Sequence, residues 1–351
     1  MNKTALMDMN QEELAVLMEE AGEKPYRARQ LYAWLLAGAR PEEMHTLPKT
    51  LREYLKNYPH GGARIEEKHV SARDGTVKYL FALDDGALVE GVLMRYHHGN
   101  TLCLSTQVGC RMGCVFCAST LDGVLRNIRH GEMLGMVAAV ERDEPHEANT
   151  RAVTNIVLMG SGEPLDNYEH VVTFLWRVTA AEGMGISPRN ISLSTCGLVE
   201  KIKTLADDAP HVTLCISLHA HSDAVRDTLL PINRAHPISE LMEAAKEYAS
   251  RTGRRLIFEY ALIAGVNDTA ADAAALAALL KGINCHVNLI PLNPVRERAL
   301  AGTSRAEAQR FLEELTRRHT SATIRREMGT DIEGACGQLR RRVMEERAHD
   351  R

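Results

Sequence analysis

The sequence has no long hydrophobic run. Its longest purely apolar stretch, Ala273–Leu280, is far short of the roughly 20 residues a helix needs to span a bilayer. A signal-peptide core is missing too. The opening MNKTALMDMNQEELAVLMEE is acidic and amphipathic, which points to a cytoplasmic protein. Charge of one sign does not dominate. Forty-two basic and 46 acidic residues leave a net charge of −4, so any nucleic-acid surface has to be local. Internal repeats and low-complexity tracts are also lacking.

What is present is a globular composition. Hydrophobic residues make up 45% and charged residues 25% of 351 positions, which excludes a largely disordered or fibrous chain. The length allows one large domain with one or two small ones, and enough core to fold without disulfides. The eight cysteines therefore read as metal or redox chemistry rather than as a disulfide framework.

Periodicity divides the chain in three. Residues 1–62 predict short helices over Met9–Ala21 (capped by Asn10), Tyr26–Leu36 and Pro48–Tyr58. They form an accessory module: a capping bundle or, through Lys24, Arg27 and Arg29, an RNA-contacting one. Residues 63–100 change period. Val77, Tyr79, Phe81 and Leu83 alternate, Ala87–Met94 is a second strand-like run, and Asp74-Gly75 and Asp85-Gly86 are hairpin signals. A short antiparallel β extension is expected. Over 101–351, strand-like runs at Leu102–Gln107, Asn155–Met159, Ile191–Thr195, Val212–Leu218, Leu256–Ile263 and His286–Leu292 alternate with helical stretches. Six βα units imply a parallel sheet covered by helices. Thr323–Arg326 is a candidate further strand, and the mixed-charge tail QLRRRVMEER reads as solvated. In such folds functional groups gather at strand C-termini. The unusual residues fall there: Gly109–Cys117, GSGEP (160–164), Ser194–Gly197, Ser217–His219 and Asn293-Pro294.

Cys110, Cys114 and Cys117 form C-x3-C-x2-C, with Gly109 and Gly113 beside them. A tetrahedral zinc site wants four ligands, commonly from paired C-x2-C units. Three thiolates suit an iron–sulfur cluster with one iron left open to substrate, since fully ligated clusters take four. Zinc with His130 or His219 as fourth ligand, and a chance grouping of buried cysteines, are the alternatives.

This triplet after the first strand of a βα array resembles the radical S-adenosylmethionine (SAM) superfamily. The resemblance implies an α/β fold with a partial TIM-like (β/α)6 barrel. It also implies a [4Fe–4S] cluster whose open iron chelates SAM, and reductive cleavage of SAM to a 5′-deoxyadenosyl radical. MGSGEPLDN, LSTCG, ISLHA, PINR, HVNLIPLNP, DIEGACGQL and the segment around KPYRARQLYAWL resemble one family more closely. It is the radical-SAM RNA adenine methyltransferases of the RlmN type, and the similarity covers nearly the whole chain.

That narrower resemblance implies roles. Gly162, Glu163, Ser194, Ser217, Leu218, His219 and Asn293 match SAM-binding positions. Cys336 is methylated by a first SAM, and the radical from a second SAM activates that methyl group. The resulting carbon radical attacks C2 of adenine, an electron-poor carbon that polar transfer cannot reach. Glu90 matches the general base that removes the C2 proton. Cys103 matches the cysteine that resolves the adduct, forming a disulfide with Cys336 and releasing the base. Implied partners are 23S rRNA and tRNA, a flavodoxin-like electron donor and a disulfide reductant, around a monomer that does not meet a membrane.

Each residue also has a plainer reading. Glu163 could be an acid at a helix N-terminus, Ser194 and Ser217 strand-end hydroxyls, His219 a satisfied histidine and Asn293 a turn residue. Cys103 would be core, and Glu90 solvent-facing on a half-exposed strand. Cys196, Cys215 and Cys285 read as structural. The related adenosine-C8 methyltransferase of antibiotic resistance shares the cluster and both cysteines, although the wording of KPYRARQLYAWL, GEPLDN and CHVNLIPLNP stands closer to the C2 branch. More distant alternatives are a radical-SAM enzyme acting on a non-RNA substrate and an RNA-binding protein with a structural metal.

Overall fold

The fold is a computed structural model that describes residues 3–147, 150–293, 295, 297–332 and 338–349. It opens with α1 (Gln11–Glu20), α2 (Arg27–Leu36) and α3 (Lys49–Leu55). Asn10 caps α1 as its residue type predicts: its side chain accepts from Glu13 N at 2.8 Å and the Glu13 carboxylate returns to Asn10 N. The buried faces of these helices belong to the same continuous core as the rest of the molecule. Arg177 ties them down, donating to Met7 O at 2.6 Å.

Four strands follow in an antiparallel run: β1 (Ala63–Val70), β2 (Val77–Leu83), β3 (Leu88–Tyr96) and β4 (Gly99–Leu104). A separate two-stranded ribbon, β5 (Gln107–Gly109) and β6 (Val124–Asn127), leads to α4 (His130–Asp143). Then come β7 (Asn155–Leu158), α5 (Tyr168–Thr179), β8 (Ile191–Thr195), α6 (Val199–Asp208), β9 (Thr213–Ser217), α7 (Asp223–Leu229) and α8 (Ile238–Thr252). β10 (Leu256–Leu262), α9 (Ala270–Leu279), β11 (Cys285–Pro291), α10 (Arg305–Arg317), β12 (Ala322–Ile324) and α11 (Gln338–His349) complete the chain.

Among the described residues the main sheet has ten strands in the linear order β1-β2-β3-β4-β7-β8-β9-β10-β11-β12. β4 is the hinge of the topology, antiparallel to β3 on one side and parallel to β7 on the other. Every pairing from β4 to β12 is parallel. The order has two free ends, so the barrel is partial. No helix among the described residues is long and apolar enough to cross a membrane.

Two expectations are corrected. The run Leu102–Gln107 is not one strand: pairing stops at Leu104. The Ser105 hydroxyl then donates to Glu90 O at 2.8 Å and accepts from Ser161 N at 3.0 Å, turning the chain out toward β5. A continuous strand-like composition cannot mark where the partner changes. The tail is not simply solvated either. Leu339 and Val343 of α11 pack on Leu80, Ala82 and Leu88, covering the second face of the extension. All of β2 is therefore buried, including the positions that alternation assigned to solvent.

Candidate active site

A cavity of about 300 Å³ opens at the C-terminal ends of the parallel strands. Cys110, Cys114 and Cys117 line one side. Glu163, Ser194, Ser217, His219 and Asn293 line the rest. The parallel topology produces this convergence, because each strand delivers its last polar residue to the same rim.

The cysteine loop is fixed by the β5–β6 ribbon. Cys110 N donates to Gly123 O at 2.9 Å. Gly109, at φ 84°, makes this approach possible, since a Cβ there would stand 2.0 Å from Gly123 O. Thr120 Oγ1 donates to Cys114 O (3.1 Å) and Cys117 O (3.0 Å), closing the turn. Arg111 Nε donates to Asp166 Oδ2 at 2.9 Å, linking this loop to the one after β7. Burial, with the charge of Cys117 and Glu163 adding to it, pushes the Cys110 thiol up to about 11, and Cys114 is raised further for the same reasons.

After β7, Gly162 at φ 104° lets the chain pass Gln107, where a Cβ would meet Gln107 N at 2.6 Å. Glu163 is buried. Its Oε1 accepts from Leu165 N (3.0 Å) and its Oε2 from Cys196 N (2.8 Å). The helix-capping reading of Glu163 thus holds for one oxygen, while the other joins two strand ends. The Cys196 and Thr195 side chains add to these contacts, so the carboxylate is held from both strand ends while it lines the cavity. Burial raises its pKa against the pull of those N–H groups.

His219 has φ 55°, packs edge-on to Phe116 at 5.0 Å between ring centres, and accepts from Ala261 N at 2.9 Å through Nδ1. That bond assigns the proton to Nε2 and keeps the ring neutral. Burial lowers its pKa to about 3. The Leu218 side chain lies in the core rather than in the cavity wall; its N–H donates to Glu259 O at 3.1 Å. His130 faces away from the cysteines, bonded to Asp8 O (2.9 Å) and His170 (3.3 Å), and so is no fourth ligand for them.

Comparison with known proteins agrees with this geometry. Residues 104–277 match the radical SAM superfamily model, and residues 4–59 match the ribosomal RNA large subunit methyltransferase N-terminal domain. A probable dual-specificity RNA methyltransferase RlmN from Alkaliphilus metalliredigens is 48% identical over 99% of this chain and 97% of its own. This chain belongs to the RlmN family. Another member, from Clostridium botulinum (strain Eklund 17B / Type B), is 48% identical over 96% of each chain. A radical SAM methyltransferase crystal structure from Sphaerobacter thermophilus superposes with TM-score 0.89 at 43% identity, covering 96% of this chain and 99% of that one.

As a radical SAM enzyme, an RlmN-family protein works with a [4Fe–4S] cluster and SAM. The donor set here fits that pairing. Three thiols from one loop line the cavity, and among the described residues no three histidine, cysteine or carboxylate side chains are gathered around a single ion. This suits a larger, incompletely ligated group better than a tetrahedral ion.

A second cavity of about 170 Å³ adjoins the first. It contains Cys103, Val92, Met94, Arg326 and Met328, and shares Met159, Asn293 and Arg325 with the cofactor cavity. Cys103 is thus buried yet borders a chamber next to the cofactor site. Glu90 lines neither cavity. It is 4% exposed, not solvent-facing, and pairs with Lys78 Nζ at 3.3 Å. Arg340 N at the start of α11 donates to its Oε1 at 2.7 Å. Cys336 lies outside the described residues, as do Gly334, Ala335, Gly337 and Pro294. The chain before residue 333 is anchored on the extension: Asp331 accepts from Ser71 Oγ (2.7 Å) and Ala72 N (3.0 Å), and Gly329 N donates to Asp74 (3.0 Å).

Sequence reasoning missed three residues. Lys78 is fully buried, its alternation having placed it outside. Arg226 is fully buried and donates to Cys196 O (2.6 Å), Ser217 O (3.2 Å) and Leu218 O (3.1 Å), pinning the ends of β8 and β9. Glu259 is the third. Lys78 and Glu259 are charges within apolar strands, the one signal that could have found them, whereas Arg226 stands among Asp223, Asp227 and Thr228 and gives no such signal.

Proposed function

We propose that this RlmN-family enzyme methylates C2 of adenosine in 23S ribosomal RNA and in transfer RNA. The observation that carries the reading is the pair of cavities with a common wall: cysteine loop and strand-end acceptors in one, Cys103 in the other. The dual-specificity RNA methyltransferase name of its relatives supports it.

When bound, the cluster and SAM supply a 5′-deoxyadenosyl radical. Cys110, Cys114 and Cys117 hold the cluster. Gly162, Glu163, Ser194, Ser217, His219 and Asn293 bind SAM, with Leu218 contributing only its backbone. Cys336 carries the methyl group as a thioether. Glu90 takes the proton from C2 as the ring regains aromaticity. Cys103 then attacks the Cys336 sulfur: the S–S bond forms as the Cys336 S–CH2 bond breaks, and the electron pair left on that carbon takes up a proton, completing the methyl group of the released base. Residues 1–62 are the accessory RNA-contacting module, 63–100 the β extension that carries Glu90, and 101–351 the catalytic core. The enzyme acts in the cytoplasm as a monomer, with a flavodoxin-like electron donor and a disulfide reductant.

The test is mass spectrometry of nucleosides from 23S rRNA fragments and tRNA incubated anaerobically with cluster-loaded enzyme, SAM and reductant. 2-Methyladenosine in both is expected. 8-Methyladenosine would move the chain to the resistance branch. SAM cleavage without methylated adenosine would contradict an RNA substrate.

A further inference from the structure

The cofactor cavity contains one carboxylate that none of these assignments uses. Glu259 sits on β10 between Phe258 and Tyr260, both fully buried. It is only 5% exposed, yet it lines the cavity. Its Oε2 accepts the hydroxyls of Ser194 at 2.6 Å and Ser217 at 3.1 Å, and the two hydroxyl oxygens are 3.2 Å apart. Among the described residues its Oε1 receives no hydrogen bond and no basic side chain pairs with it.

A carboxylate this buried, with no cation, is costly unless donors answer it. The serines answer one oxygen. Each hydroxyl has a single proton, and with both protons on Oε2 the three side chains present lone pairs to the cavity. Such an acceptor cluster selects a ligand carrying closely spaced O–H donors. The vicinal diol of a ribose is such a group, and a carboxylate accepting from a ribose hydroxyl is an established way of holding that sugar. An ammonium would be the competing donor. Glu163 is better placed for it, because its N–H donates to Gln107 Oε1 at 2.9 Å on the strand that leads directly into the cysteine loop. Glu259 stands three strands further along the sheet.

We propose that Glu259 is the ribose-diol acceptor of the SAM site, with Ser194 and Ser217 aligned on it. This rests on the SAM reading of the cavity. It makes the carboxylate, rather than the serines, the principal sugar contact.

The test is calorimetric binding of S-adenosylhomocysteine and its 2′-deoxy and 3′-deoxy analogues to the cluster-loaded full-length enzyme. In the wild type, removing a hydroxyl should weaken binding about tenfold. Glu259→Gln should weaken S-adenosylhomocysteine by a similar factor and bind all three ligands within about threefold of one another. The proposal is overturned if the variant binds like the wild type, or if it weakens all three ligands equally and keeps the discrimination. Should the variant not fold, equal binding of the three ligands by the wild type overturns it alone. Wild-type enzyme that binds none of them would instead overturn the SAM reading beneath it.

Discussion

The parallel and antiparallel halves of the sheet bury charge in different ways. On the parallel side, Glu163 lies in the turn after β7 and Glu259 midway along β10. Their partners are backbone N–H groups and hydroxyls from the adjacent loop or neighbouring strands, such as Cys196 N, 33 positions from Glu163. Both carboxylates line the cofactor cavity. On the antiparallel side Glu90 lies within β3 and meets a buried cation, Lys78, on the next strand. It is sealed by α11, whose Arg340 N–H comes from 250 positions away. The first arrangement is made by topology and is ready for a ligand. The second is made only when the chain's last helix returns, and that helix begins immediately after the segment bearing Cys336.

Variants can break this contrast, beginning with complete losses. Alanine at Cys110, Cys114 or Cys117 is expected to abolish cluster loading, seen in iron content and absorbance, and with it SAM cleavage. Cys336→Ala should leave both intact and abolish RNA methylation. Cys103→Ala is expected to trap RNA on the protein as a denaturation-resistant band, and normal release of free product would remove its resolving role.

Lys78→Met should cost about 3–5 kcal/mol, because breaking a buried pair strands its partner, while Lys78→Met with Glu90→Gln recovers most of that loss. Urea unfolding measures both. S-adenosylhomocysteine affinity should stay near wild type in the folded double variant if the two halves are independent.

A smaller effect belongs to His219. Its folded pKa is lowered to about 3 from 6.5, so below pH 6.5 the unfolded chain takes up a proton that the folded one refuses. Its contribution is complete above pH 6.5 and falls with pH toward about 3, at up to roughly 1.4 kcal/mol per unit. His219→Gln should flatten the stability profile between pH 6.5 and 5.

Legibility in the sequence followed the same division. The cysteine triplet, the Gly162–Glu163 turn, Ser194, Ser217 and Asn293 were readable because strand-end motifs are local, and the structure brings them to one cavity. The Asn10 cap was readable for the same reason. The burial of Lys78 and Glu90 was not. Strand alternation reports one buried face, and nothing in residues 77–90 announces that α11 will cover the other. The basic residues of QLRRRVMEER hid a spaced pair, Leu339 and Val343, that does the covering. Glu259 and Arg226 were hidden differently, since an acid in a strand and an arginine in a helix read as surface until their partners are seen.

In the proposed mechanism the barrel activates a methyl group that Cys336 carries to RNA. Anaerobic reaction of the cluster-loaded enzyme with methyl-deuterated SAM and RNA, followed by mass spectrometry of both the Cys336 peptide and the RNA nucleosides, addresses it directly. The account predicts label on Cys336 before RNA is added, and in 2-methyladenosine afterwards. Labelled 2-methyladenosine formed while Cys336 stays unmodified, or formed by Cys336→Ala, would contradict it.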